Sequence, residues 1–545
     1  MHDSEPSPNA GQPGSILRPP SRHRISDKTA TLAVLFGIGL VAAAALYRPW
    51  NTPAIGFDST ASVLFFDRLA AHQTLEAFVG STPKPLMTLV YGLAFNLFHD
   101  WRLVSVVATV EFAAMVVAVA ALAWRTSGPV AAGAAAFGLL GCELLLLDGA
   151  LTYANPWAIL FWALAGLALT ESSPRFGLAG VALFLATLMR AETILILALA
   201  AVVLVAWRLL PRRWIPGGLR PPMRATLLLI GFLALPVMIL HDWLLTSNGF
   251  FWLDVSAIAS RADPSSVETP LQVARDLARH YAEAWPLVLP AVVAVIDLVR
   301  RRRFVVLLGL VACGPGVLAF LELLAVRNVY VSYRYTIPAD ATLILAAALG
   351  ADAIVRFLAG LARRHGAFGR RRQDRLAVVV AAVAIGAVIS AALVRPYGLD
   401  SATLATIDGY RALQTNYERL LPTITAAEAA LPDRPTWALA DNQHYFTGPP
   451  PRLYVPPLLS ARIAIDLGLP VWAVRAGPLR GDPSALQVAL PAIAYIDVRQ
   501  GGDPPDQDRP FEVDRTTRVG HVIVEPIVAL PDQGLWVVRL SPAGD

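Results

Sequence analysis

Asp58 and Lys84 are the two side chains in this 545-residue chain whose types and setting most suggest chemistry. Asp58 follows directly on the first long apolar run. Lys84 stands between Pro83 and Pro85, which fix the local backbone and remove donors. One carboxylate and one ammonium at lipid head-group depth suit a substrate with a lipid tail and a phosphate head. Two exposed loop charges, taken by themselves, are equally well read as ordinary solvated groups. Arg190 and Glu192 flank one alanine inside a long apolar stretch. Charges at such depth are costly and often functional, and an Arg–Glu pair that caps a turn explains them as well. Asp148 has the same two readings, a substrate-site acid or an ordinary helix-end acid. His72 reads as a polar-face residue. His241 and Asp242 are neighbours in sequence, so on a helix they point different ways and are discounted as a catalytic dyad.

The elements that must position these residues are mostly hydrophobic. Hydrophobic residues make up 56% of the chain and charged residues 16%, and the mean hydropathy is +0.54. A soluble globular chain carries about 25% charge. The deficit lies in continuous apolar runs such as 30–46, 103–123, 129–147, 225–240, 304–325 and 376–394. Each approaches the roughly 20 residues that a helix needs to cross a bilayer. Because the runs do not alternate with period two, a barrel is excluded. The net charge of +5 comes from arginines in short blocks between apolar runs, a topology signal and not a nucleic-acid signal. Cys142 and Cys313 both lie inside apolar runs and read as small buried hydrophobes.

Two apolar stretches make the span count ambiguous, and the placement of arginines resolves both. Residues 85–98 are too short to cross and are expected to lie at the interface. Residues 176–207 are too long for one span and are expected to turn at MRAE, residues 189–192. The topology then closes with about eleven spans. It comprises a disordered cytoplasmic tail (1–29), a transmembrane domain (30–395) with a large first outer loop (48–101), and an extracytoplasmic α/β domain (396–545). Within that last domain, 402–431 read as helix, and 436–441, 492–498, 521–530 and 535–540 as strands. In the first outer loop, Val63, Phe66 and Ala70 form part of an apolar stripe, while Arg68, His72 and Glu76 recur at i, i+4 and i+8. This pattern predicts an amphipathic helix lying in the interface plane.

An Asp shortly after the first span, an interfacial helix and Lys84-Pro85-Leu86 before a second short helix together resemble the GT-C class of membrane glycosyltransferases. Protein O-mannosyltransferases and bacterial lipid A aminoarabinose transferases belong to that class. LMRAETILILAL (188–199) resembles the turn these enzymes carry between two spans, with Ala191 in place of the usual proline. LLLDGALTYANPW (145–157) resembles their acidic outward loop, with the Asp-Pro pair broken. YRYTIPA (333–339) resembles the stretch that opens a late span. The resemblance covers roughly residues 30–340. It implies transfer of a sugar from a polyprenyl-phosphate donor to an acceptor hydroxyl on the outer face of the cell membrane, by an inverting displacement. Asp58 would then be the general base. Lys84, Arg334 and Arg190 would contact the donor phosphate, and Asp148 and Glu192 would belong to the substrate site. The implied partners are the lipid-linked sugar, membrane lipid and a glycan, lipid or protein acceptor. No cofactor is expected, and a divalent metal is left open.

Two other readings compete. A transporter or lipid flippase would show charges buried mid-span and paired broken helices, whereas here the notable charges fall at span ends. A non-catalytic scaffold of the same architecture, acting through its outer domain, would have no need for Asp58 and Lys84.

Overall fold

The computed structural model describes residues 22–51, 53–76, 79–209, 223–255, 269–327, 329, 331, 333–364, 401–432, 451–476, 490–497 and 515–543. The first helix, α1 (Arg22–Tyr47), begins earlier than residue 30, inside the stretch read as a structureless tail. The chain then forms α2 (Phe57–Ala70) and α3 (Pro85–Asn96), followed by α4 (Trp101–Thr126), α5 (Pro129–Gly141) and α6 (Glu143–Ala150). After these come α7 (Asn155–Leu169), α8 (Phe176–Met189), α9 (Thr193–Leu209) and α10 (Ala234–Thr246). The membrane part ends with α11 (Pro270–Glu283), α12 (Trp285–Arg300), α13 (Phe304–Cys313), α14 (Pro315–Val326) and α15 (Ile337–Arg364).

Small residues let these helices approach closely, which is how apolar helices gain packing energy where no hydrophobic effect drives them together. Ala131, Ala132, Ala134, Ala135 and Ala136 on α5 are all buried, and α5 packs on α4 and α15. At Gly350 on α15 a Cβ would stand 1.8 Å from the Pro290 carbonyl of α12, so only glycine permits that crossing. By length and composition, five described helices can cross a membrane, or seven if each of two bent pairs counts as one span. Those pairs are α5–α6, bent by 64°, and α11–α12, bent by 84°. The expectation of about eleven spans also draws on shorter apolar helices and on 376–394, which lies outside the described residues.

The helix length in one ambiguous stretch and the break in the other agree with the sequence reading. Residues 85–98 make the 12-residue helix α3, about 18 Å long at 1.5 Å per residue and too short to cross. The stretch 176–207 breaks between α8 and α9, where Arg190 adopts extended backbone with φ −141° and ψ 109°. The interfacial amphipathic helix needs correction. Helix α2 ends at Ala70 and His72 takes φ +55°, so His72 and Glu76 lie beyond the helix. Its first half is buried all round, from Ser59 to Phe65, because α3 and the C-terminal domain cover it.

The C-terminal domain is α/β, with α16 (Ser401–Ala429) laid on a six-stranded sheet. Its strands are β1 (Leu453–Val455), β2 (Val474–Ala476), β3 (Ala492–Asp497), β4 (Thr517–Val519), β5 (Val522–Leu530) and β6 (Leu535–Pro542). Their order is β2-β1-β3-β6-β5-β4. Strand β1 runs parallel to β2 and β3, and the other pairings are antiparallel. One face carries Leu413, Tyr417, Leu420 and Ile424 of α16 against Ile493, Tyr495 and Val537. The strand expected at 436–441 lies outside the described residues.

A buried arginine on the short helix α17 (Ser460–Asp466) joins this domain to the membrane helices. Arg462 is 3% exposed. It reaches Glu418 at 2.7 Å and Asp466 at 3.3 Å, and it also bonds Gln414. Its guanidinium lies 5.5 Å from the centre of the Trp101 ring at the start of α4, and the Trp101 indole donates to Asp466 at 3.3 Å. Without Arg462 the Asp466 carboxylate would lose its cation inside the interface, whereas Glu418, 43% exposed, would stay hydrated. Arg462→Met is therefore expected to lower the unfolding temperature and to open the 401–432 region to protease, with the membrane helices still protected in the same digest.

Candidate functional site

Local backbone docking decides where Asp58 sits. Gly56 donates to the Leu151 carbonyl at 3.0 Å, and the Ser59 hydroxyl donates to the Thr152 carbonyl at 2.6 Å. The Thr152 hydroxyl donates back to Ser59 Oγ at 2.6 Å. This latch fastens the start of α2 to the turn between α6 and α7, where Thr152 itself takes φ +59°. At Gly56 the fit leaves no room for a side chain: a Cβ would lie 2.6 Å from the Leu151 carbonyl and 2.7 Å from the Tyr153 ring.

Held there, Asp58 meets two cations on one oxygen. Its Oδ2 is 3.4 Å from Lys84 Nζ and 3.0 Å from Arg334 Nη2, and its Oδ1 accepts from Ser81 Oγ at 3.0 Å. Arg334 opens the turn before α15, and its Nε reaches Asp148 Oδ1 on α6 at 3.3 Å. The same guanidinium lies 3.4 Å from the centre of the Tyr153 ring, a stacked cation–π contact. The Asn155 amide donates to the Arg334 carbonyl at 3.1 Å and so holds its backbone. Four residues singled out in the sequence, Asp58, Lys84, Asp148 and Arg334, thus form one bonded cluster from four separate parts of the chain.

Arg190 and Glu192 stand beside it at the α8–α9 break. Arg190 is 7% exposed, forks onto Glu192 at 3.1 and 2.9 Å, and lies 5.2 Å from the centre of the Tyr335 ring. Its charge is felt at Lys84 and at Asp148, and that of Lys84 at Glu192, so the pair shares the electrostatic field of the cluster. The pair is therefore both a turn cap and part of the charged site.

Electrostatics set the proton positions. Burial works to raise the Asp58 carboxyl, but Lys84 and Arg334 together overcome it and hold Asp58 well below the usual carboxylate range. Burial lowers the Lys84 ammonium below the ordinary lysine range, Asp58 opposes that, and Arg190 and Arg334 add to it. At Glu192 the raising effect of burial is outweighed by Arg190, so it too stays ionised. The arrangement is an anion-binding cradle whose resident anion is a carboxylate. Arg334, exposed by 37% at its side chain, is its most open member. Among the described residues no three His, Cys, Asp or Glu side chains are placed to hold a metal ion.

Other sequence candidates fall elsewhere. His241 and Asp242, expected to point different ways, instead bond each other at 3.2 Å, and Asp242 accepts from the Trp252 amide at 2.6 Å, which makes this pair a clasp for the segment after α10. Gly56, Ser59, Ser81, Thr152, Tyr153 and Tyr335 were not singled out, and only the two tyrosines carried a signal, as aromatics beside motif charges.

No protein-family model matches the chain, and no curated protein matches it in sequence. Solved structures similar to it include the archaeal oligosaccharyltransferase AglB from Archaeoglobus fulgidus, in complex with an inhibitory peptide and a dolichol-phosphate. That likeness has a TM-score of 0.49 at 13% identity and covers 84% of this chain and 66% of the other. The chain thus spans just under two thirds of that enzyme's length. ArnT from Cupriavidus metallidurans bound to undecaprenyl phosphate is similar with a TM-score of 0.47 at 13% identity, over 94% of this chain and 98% of the other. The functional reading rests on the charged cluster and not on these likenesses.

Gly56→Ala is expected to push the α2 start off the 151–153 turn and to break the Asp58–Arg334 contact. Any transferase activity should fall at least tenfold, and the unfolding temperature should fall with it because the buried latch is broken. Gly350→Ala would also be crowded, by the Pro290 carbonyl, so it serves as a packing control outside the cluster.

Proposed function

We propose that this chain is a membrane glycosyltransferase that moves a sugar from a polyprenyl-phosphate donor to an acceptor hydroxyl on the outer face of the cell membrane. The observation that carries this reading is the convergence of Lys84 Nζ and Arg334 Nη2 on one oxygen of Asp58, at 3.4 and 3.0 Å. Two cations aimed at one point suit a phosphate oxygen as well as a carboxylate one. A guanidinium offers several donors in a fixed fork, and an ammonium acts as a compact point charge. In a sugar transfer the bond from the anomeric carbon to the phosphate oxygen breaks, and charge develops on that oxygen. Preorganised cations stabilise such charge most.

Asp58 is then the base. As Lys84 and Arg334 turn to the phosphate, its carboxylate is released to take the proton of the acceptor hydroxyl, whose oxygen forms the new bond to the anomeric carbon. Inversion follows from a single displacement. Arg190 lies close enough to add to the field on the phosphate, and Glu192 holds it in place. Asp148 orients Arg334 through its Nε.

Sidedness is supported by charge placement. The cluster lies under the C-terminal domain, where Gln414 donates to the Ile55 carbonyl at 3.3 Å. At the far end of α4, Arg125 approaches Glu171 at 3.6 Å, and Arg356 binds Asp297 and Asp352. Arginines gathered at the far end favour a cytoplasmic position for that end. On this reading the N-terminus is cytoplasmic and the α/β domain extracytoplasmic.

Asp58→Asn is expected to lower kcat by roughly 10²–10⁴, the usual share of a general base, with binding of the lipid phosphate retained. Full transfer of a radiolabelled lipid-linked sugar by this variant would sink the assignment. A flippase would instead move lipid between leaflets of reconstituted vesicles with no covalent sugar transfer. The pH profile offers a second check. Because Lys84 is held below the ordinary lysine value of about 10.4, it loses its proton early as pH rises. The alkaline limb of kcat/KM should therefore begin below that value, and Lys84→Arg should move it upward.

A further inference from the structure

Glu111 lies ten residues into α4, roughly 15 Å along the helix from its first residue. It is 3% exposed. An ionisable group at such depth is costly and is a functional candidate by default. Its Oε2 accepts from the Tyr91 hydroxyl at 3.3 Å, and the Trp157 indole donates to the Tyr91 oxygen at 3.3 Å. A chain of three side chains thus ties α4, α3 and α7 together at one level. An apolar side chain at position 111 would fill the same space without the cost of burying a carboxyl, so stability alone does not call for glutamate there.

The two residues joined to Glu111 stand on the segments that carry the cations of the charged cluster. Tyr91 is seven residues from Lys84, about two turns along α3. Lys84 caps α3 in extended conformation (φ −129°, ψ 94°), and Pro85 takes the first helical position. Proline there fixes its own φ, so the direction of Lys84 follows the helix. Beside Tyr91 the helix has no slack: a Cβ at Gly92 would lie 2.2 Å from the Phe66 side chain of α2. Trp157 belongs to the first turn of α7, and its ring stacks on Phe161 with centres 5.8 Å apart. Two residues before it, the Asn155 amide holds the Arg334 carbonyl at 3.1 Å. From one carboxyl, one line therefore runs through Tyr91 to Lys84 and another through Trp157 to Arg334. These are the two cations that converge on Asp58 Oδ2.

We propose that Glu111 is a positioning residue that sets the separation of Lys84 and Arg334, and with it the fit of the cradle to a phosphate. It touches no substrate and acts as the hydrogen-bond acceptor for Tyr91. Its effect on phosphate binding rests on the reading of the cradle as the donor-phosphate site, whereas its hold on Lys84 does not.

The full chain in lipid nanodiscs is to be compared with Glu111→Leu and Glu111→Gln. The first readout is the rate at which a water-soluble acylating reagent modifies Lys84, followed by mass spectrometry with Lys28, the one other lysine, as internal reference. Lys84 is 12% exposed at its side chain and bonded to Asp58, so the parent is expected to react slowly. Glu111→Leu should react about tenfold faster, the scale of one lost hydrogen bond to a charged group, with an unfolding temperature no lower than the parent's. Glu111→Gln keeps an acceptor for Tyr91 and should match the parent. Where Glu111→Leu fails to fold, Tyr91→Phe removes the same bond from its other end and should give the same rise. The second readout is binding of undecaprenyl phosphate. Glu111→Leu should weaken it about tenfold, and should have no further effect in a Lys84→Ala background, since residues acting through one another are not additive. Parent-like labelling of Lys84 in both Glu111→Leu and Tyr91→Phe overturns the proposal. So does a Glu111→Gln variant that behaves as Glu111→Leu, or faster labelling that appears only with a fall in unfolding temperature. Failure of the glycosyltransferase reading looks different: Lys84 labelling responds as expected, while the parent itself binds no lipid phosphate.

Discussion

Arg334 is the tie on which the charged site depends. Its guanidinium joins Asp58 on α2 to Asp148 on α6 while its face rests on Tyr153. The start of α2 and the α6–α7 region, far apart in sequence, are therefore tied by one planar group from a third segment. A lysine could not substitute, because a single ammonium on a flexible stem cannot hold two carboxylates and stack at once. Asp148 is 2% exposed, while Arg334 is partly open to solvent. Without Arg334, Asp148 would be a buried carboxylate left with only the weaker influence of Arg190, a costly state. The tie thus places the fold under the same requirement as the site.

The cost of charge in hydrocarbon also explains why most ionisable groups sit at helix ends. Glu111, mid-span on α4 and 3% exposed, departs from the expectation that charges fall at span ends and is met by the Tyr91 hydroxyl. Arg190 and Glu192 break a stretch that would otherwise continue as one long helix, and the extended backbone at Arg190 brings both to the cluster's edge. The outer domain completes the arrangement by covering α2. Burial of Ser59, Thr60 and Ser62 is tolerable only because each hydroxyl is bonded, to Thr152, Phe57 and Asp58 carbonyls respectively.

What is legible in the sequence follows the same physics. Charges at the ends of apolar runs stand out against their surroundings, so Asp58, Lys84, Asp148, Arg190, Glu192 and Arg334 are conspicuous from residue order alone. Residues 85–98 and the break at 189–192 are legible through length and arginine placement. The latch is not. Gly56, Ser59 and Thr152 are small residues that meet across more than ninety positions, and nothing local marks them. The amphipathic pattern of α2 misleads because it presumes lipid below and water above, whereas the C-terminal domain lies on it and the helix stops at Ala70. Short strands such as β1, β2 and β4, three residues each, are too brief to show a period.

The depressed pKa of Asp58 runs against its proposed task, since a carboxylate held by two cations is a poor base. The resolution lies in the sharing of those cations. A phosphate brought to Lys84 and Arg334 takes up the positive charge that lowers the Asp58 pKa, and burial, the opposing influence, remains. On the proposed mechanism Asp58 would therefore gain basicity only once a donor phosphate is seated. Arg334 stays anchored to Asp148 throughout and need not swing far to serve both anions. The same cations that would stabilise the leaving phosphate also set when the base becomes competent. An acceptor hydroxyl arriving before the donor would find no effective base, which disfavours wasteful encounters with water.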